Sequence, residues 1–299
     1  MTDISCRMTF KDLNLGIDPC GLTVFSGGVK TGFQMAMRPK VPTYHFNMKV
    51  NGLEIVQAVE SQMALFKNTV TGKADFSMTG QGSSLNPTPA MKNVKASGNL
   101  RVINAKFASM DVMKMVGEAL NKSIERLAEK VPAARGRTVG GFENKTSRYE
   151  AISSDFTLAD GKFNAPNFFA KAVPNEGIDL KGNTQVGILD YSLNTDWEVI
   201  DTYNLTHARD LSVEQSGVKV DHILAEGDSP VKFPVHAGCT LKEPCYSYTQ
   251  VPEYLGKIAL NNVTHALGEK AKAEVRNQAQ KALQQAAPAI QDRLKSLFR

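Results

Sequence analysis

Five histidines, four cysteines and a scatter of carboxylates are the side chains of this 299-residue chain best suited to chemistry, and their spacing decides what they can do. His45, His207, His222, His236 and His265 include no i, i+4 pair and no H-E-x-x-H frame, so no helical metal site is expected. His45 and His236 read instead as exposed positions of alternating strands. Gly80-Gln81-Gly82 is a lone G-x-G with no helix after it, which suits a loop better than a phosphate cradle. Neither a G-x-S-x-G elbow nor a Walker A loop occurs. Asp155, Asp160, Asp179 and Asp190 stand mostly beside Gly or Asn at strand ends, where carboxylates cap turns more often than they move protons. The residues therefore predict no catalytic centre, no metal and no cofactor.

The cysteines form two sequence-local pairs, Cys6 with Cys20 and Cys239 with Cys245. Structural zinc would call for C-x₂₋₄-C spacing and matching histidines, which are missing. Two disulfides are the favoured reading, with an oxidising compartment, and free buried thiols are the alternative. Sequons at Asn121, Asn144, Asn204 and Asn262 are short enough to arise by chance and carry little weight.

A hydrophobic content of 42%, a charged content of 22% and a formal charge of +5 describe a globular, mildly basic chain. Nucleic-acid binding would need a denser basic stripe, whereas an anionic membrane surface is compatible. No run reaches the ~18 apolar residues of a membrane span, and the start lacks the pattern of a signal peptide. Because strand-like sequence begins at Met8-Thr9-Phe10, we expect the chain to be part of a longer one.

The elements that must position any site are mostly strands. Val29 to Met37 and Tyr44 to Val50 alternate apolar and polar residues across a Pro39/Pro42 turn, and Asn51-Gly52 predicts a turn after them. Similar runs occur at Gly72 to Met78, Val94 to Val102, Ile152 to Leu158, Ile178 to Ile188 and Val231 to Val235. Two segments follow helical spacing. One begins at Ser109 as N-cap and continues through Val112, Val116, Leu120, Ile124 and Leu127 to Pro132. The other runs from about Pro252 to the C-terminus, with a break expected near Pro288. A shorter helix is expected at Glu54 to Glu60.

In order along the chain, Leu22-Thr23-Val24-Phe25-Ser26-Gly27-Gly28, Ala96-Ser97-Gly98-Asn99-Leu100, Asp155-Phe156-Thr157-Leu158 and Val231-Lys232-Phe233-Pro234-Val235 resemble the C-terminal region of the AsmA family of bacterial envelope proteins. Gly238 and Pro244 close the resemblance, which covers most of residues 8 to 250. It implies a periplasmic protein anchored in the inner membrane, an elongated β-sheet groove, and a role in envelope assembly and phospholipid movement. An insertion-like stretch from Asp201 to Ser229 and the long terminal helix depart from that pattern, and the anchor is expected on the longer chain.

The expected architecture is mainly β: an elongated, curved antiparallel sheet forming a groove, packed by a helix near 110–131 and a long C-terminal helix near 252–298. Residues 1–250 are expected to be the β-rich domain, including a flexible basic connector at 132–147, and residues 251–299 an amphipathic helical extension. That extension is the candidate docking point for an envelope protein or a membrane surface. Phe33, Met35, Met37, Tyr44, Phe46, Met48, Phe76 and Met78 form the candidate lipid-binding face, methionine being well suited to varied acyl chains. The competing expectation, placed slightly ahead, is that this face packs against the helix at 110–131.

Overall fold

Period-two patterning governs the strands, the commonest element of the chain. The computed structural model describes residues 2–62, 70–107, 112–142, 147–241 and 243–297. Twelve strands form one antiparallel sheet: β1 (Thr2–Lys11), β2 (Asn14–Val24), β3 (Gly27–Ala36), β4 (Thr43–Glu54), β5 (Val70–Ser83), β6 (Lys95–Phe107), β7 (Ser147–Ala159), β8 (Lys162–Ala172), β9 (Asp179–Gly187), β10 (Leu193–Ile200), β13 (Lys232–Cys239) and β14 (Pro244–Ser247). They lie side by side in chain order, and β1 and β14 are the two unjoined edges of an open sheet. Between β10 and β13 the insertion carries a separate two-stranded ribbon, β11 (Val213–Gln215) and β12 (Val218–Val220).

The tight turns explain this meander. Asp12-Leu13, Phe25-Ser26, Asp160-Gly161 and Ser216-Gly217 all have both residues at positive φ, the two-residue hairpin geometry whose twist matches that of the strands. Asn51-Gly52 departs from its expected role. It is a bulge within β4, where Gly52 has φ +68° and its N–H donates to Asp75 Oδ1 at 2.6 Å. The strand thus continues to Glu54 and feeds straight into α1 (Ile55–Gln62).

The helices are α1, α2 (Pro87–Asn93), α3 (Val112–Lys130) and α4 (Val251–Leu297). Ser109, the expected cap of α3, lies outside the described residues. Pro132 ends α3 and opens one turn of 3-10 helix, Pro132–Ala134. The described part of the connector, to Phe142, is docked at Val139. Asn121 on α3 accepts from the Val139 N–H (2.9 Å) and donates to its carbonyl (3.3 Å). The α4 helix also departs from expectation by continuing through Pro288, between helix-favouring alanines.

Buried residues of α3 (Val116, Ala119, Leu120, Ile124), the start of α4 (Val251, Leu255, Ala259) and the insertion (Ile223, Leu224) share one core with the sheet. Both cysteine pairs are disulfides: Cys6–Cys20 joins β1 to β2, and Cys239–Cys245 joins β13 to β14.

Candidate functional site

On a strand every second side chain shares a face, so register decides what each face carries. On β5 that set is Ala74, Phe76, Met78, Gly80 and Gly82; on β6 it is Val102, Leu100, Gly98 and Ala96; on β7 it is Ile152, Ser154, Phe156 and Leu158. Pairing links these strands residue by residue, from Ala74–Val102–Ile152 at one end to Gly80–Ala96–Leu158 at the other. The two ends meet different fates. The first row continues through Ala170, Leu180, Val199 and Phe233, and these residues belong to the core built with α3 and α4.

The second row is also apolar, yet it lies mostly outside that core. Its first half is Met8–Ile17–Phe33–Phe46–Gly80, each residue paired with the next. Its second half is Ala96–Leu158–Phe163–Val186–Leu193. Ten adjacent strands at ~4.8 Å spacing make this an apolar strip about 43 Å long, running across the strands. Met8 on the edge strand is 65% exposed, and Ile17, Phe33, Phe46, Leu158, Phe163 and Val186 are half-buried. Neighbours within the row shield one another without shutting out solvent.

Aromatic rings pave the strip. Phe33 and Tyr44 stack at 5.9 Å between centroids, Tyr44 and Phe46 lie 6.4 Å apart, and Phe156 and Phe163 stack at 5.1 Å. Between these groups the floor consists of small residues. A Cβ on Gly80 would meet the Phe46 ring at 2.5 Å, and one on Gly82 would meet the Tyr44 ring. The rings therefore lie over bare backbone, which keeps the surface low and smooth.

Seven of the eight candidate side chains share this face, with Phe33 and Met35 on β3, Tyr44, Phe46 and Met48 on β4, and Phe76 and Met78 on β5. Met37 directly follows β3, its N–H bonded to the Leu13 carbonyl at 2.9 Å. None of the eight belongs to the core that contains α3. The expectation that this helix covers them is thus corrected. Helix α3 instead shares a core with the Ala74–Val102–Ile152 end of the same face. Residues of the strip that the alternation alone did not single out are Met8, Ile17, Leu158, Phe163, Val186 and Leu193. Only strand pairing brings them into line with Phe33 and Phe46.

The opposite face is polar. Lys30, Gln34, His45, Asn47, Lys49, Thr79, Gln81 and Ser97 are exposed there. Its hollows are shallow; one of about 660 Å³ lies among Arg7, Asp18, Lys30 and Lys49 beside the Cys6–Cys20 disulfide. Gly80-Gln81-Gly82, expected in a loop, is part of β5 and supplies the floor of the strip.

Asp155, Asp179, Asp190 and His236 each make local hydrogen bonds. Asp190 Oδ1 accepts from the Ser192 N–H (3.0 Å) and hydroxyl (2.8 Å) in the β9–β10 turn, and these bonds hold its carboxyl below the usual range. Asp179 is buried and accepts from the Ala172 N–H at 2.8 Å and the Thr202 hydroxyl at 3.2 Å. Asp155 stands within β7 rather than at its end, bridged to Asn167 at 2.8 Å. His236 faces Asp196 across β13 and β10 at 3.0 Å, on the exposed side. Among the described residues no group of three His, Cys, Asp or Glu side chains converges as a metal site would require. No helix among them is long and apolar enough to cross a membrane. Comparison with protein-family models, with curated proteins and with solved structures found no match to this chain.

Proposed function

We propose that this protein binds lipid non-enzymatically, holding acyl chains along the uncovered apolar strip and handing them on between membranes of a bacterial envelope. The observation that carries the reading is the row from Met8 to Phe163, with its aromatic floor, which lies outside the core; at its far end Val186 packs against the core and Leu193 belongs to it. A soluble fold buries such a row or uses it. Each CH₂ taken from water onto it contributes ~0.8 kcal/mol, so a chain of a dozen or more methylenes gains ample free energy from a strip of this length. Rows on one face stand ~6.8 Å apart along the strands, which makes the strip one or two acyl chains wide. Headgroups would then sit at its rim in water. The ordered resemblance to the AsmA family supports the envelope setting, and two disulfides fit an oxidising compartment.

The alternative is a structural adaptor that uses the β1 edge or α4 to hold a protein partner. Native mass spectrometry of protein purified from bacteria separates the two. Co-purified phospholipid, displaced by added fatty acid and lost on Phe46→Asp substitution, supports the lipid reading. Protein that carries no lipid, and takes none up from vesicles, defeats it.

A further inference from the structure

Charge and apolar residues are unevenly spread along α4. Its first turns are held tightly, with Val251, Leu255 and Ala259 fully buried. Lys270 marks the edge of the body, its Nζ bonding the Ser216 carbonyl at 3.3 Å. From Ala271 to Gln285 every described side chain is exposed, Val275 to 67%. The helix continues to Leu297, so about 27 residues, or ~40 Å, project as an arm.

Residues 268–299 hold seven basic and three acidic side chains, +4 of the chain's formal +5. The other 267 residues balance 28 against 27. Along the arm Val275, Ala279, Leu283, Ile290, Leu294 and Leu297 recur at helical intervals. Ala, Lys, Gln and Arg favour the helix without a partner, but an apolar line that is exposed at Val275 and Ala279 calls for a cover. A second arm is a poor cover, because two helices of net +4 repel. An anionic surface meets both needs, attracting the basic residues and accepting the apolar line.

We infer that the arm of α4 lies on an anionic lipid bilayer and holds the sheet beside it. This stands apart from lipid binding by the strip. Each basic residue close to such a surface strengthens binding about fivefold, and salt screens the effect. The test is flotation of the full chain with phosphatidylcholine vesicles containing or lacking phosphatidylglycerol. Binding is expected only with phosphatidylglycerol and is expected to fall at high salt. Arg276→Gln, Lys281→Gln, Arg293→Gln and Lys295→Gln together should weaken it several hundredfold, with the melting transition of the body unchanged. Phe46→Asp should float normally, so failure of the strip and failure of the arm are distinguishable. Equal binding to neutral vesicles, or full binding by the quadruple variant, overturns the inference. So does an arm-dependent dimer that ignores vesicles.

Discussion

Replacing Phe46 by aspartate separates a lipid-binding surface from a core. The ring is half-buried, lies over Gly80 and sits mid-row between Phe33 and Gly80. Full burial of a phenylalanine contributes about 1.5–3 kcal/mol, so losing this half-covered one should cost the fold about 1 kcal/mol. In a chain of this size that lowers the melting temperature by about 2 °C. An acyl chain laid over residue 46 would have to desolvate the new carboxylate, at several kcal/mol. A penalty of ~3 kcal/mol weakens binding roughly 100-fold. The control is Leu120→Ala on α3, where the side chain is 0% exposed. That cavity should cost about 3–5 kcal/mol and leave lipid affinity unchanged. Thermal melts followed by circular dichroism, with displacement of a fluorescent fatty acid, read both quantities. A Phe46→Asp variant as destabilised as Leu120→Ala would mean that the strip is core. Unchanged affinity would refute the lipid role of residue 46.

Cys6–Cys20 closes a 15-residue loop and should contribute ~3 kcal/mol, against ~2 kcal/mol for Cys239–Cys245; melts with and without reductant measure both, and free thiols at Cys239 and Cys245 in non-reducing peptide maps would contradict the pairing. Gly98→Ala would press a Cβ into the Ser77 carbonyl and should cost ~2 kcal/mol, whereas Gly28→Ala, with nothing within 4 Å, should change stability by less than ~1 kcal/mol. Tyr246 is pushed up to about 12, first by desolvation and then by Tyr248, and the buried Tyr149 is raised in the same direction, chiefly by burial. Their contribution is complete below the unfolded tyrosine value of ~10 and is lost as pH rises through the folded values. Base titration should therefore unfold the protein from above pH ~10, and Tyr246→Phe should move that transition upward; an unchanged transition would contradict the assignment.

Much of the fold was legible because alternation is a local signal. The runs around Val29, Tyr44, Ile152 and Val231 each show it, and α3 shows its buried face at helical spacing. The first hairpins were harder to read. Asp12-Leu13 and Phe25-Ser26 adopt a turn usually marked by Asn-Gly or Asp-Gly, so their sequences give little sign of it. Gly80-Gln81-Gly82 misled for the opposite reason, since glycine usually signals a loop but here makes room for Phe46 and Tyr44.

The site was half legible. Phe33, Met35, Phe46 and Met48 stand out from the sequence as one face. That Leu158, Phe163 and Val186 prolong their row depends on register across five further strands, which no local pattern carries. Which end of the face α3 would cover was equally hidden, because helix-on-sheet placement is a long-range property. Period two identifies the apolar face of each strand, and pairing alone makes those faces one strip.

The most direct test of the central claim is site-specific photocrosslinking in bacteria. A photoreactive side chain placed at Phe46 or Phe163 should capture phospholipid, while the same group at Asn47 or Thr79, on the opposite face, should capture none. Lipid captured equally from both faces, or from neither, would contradict the account.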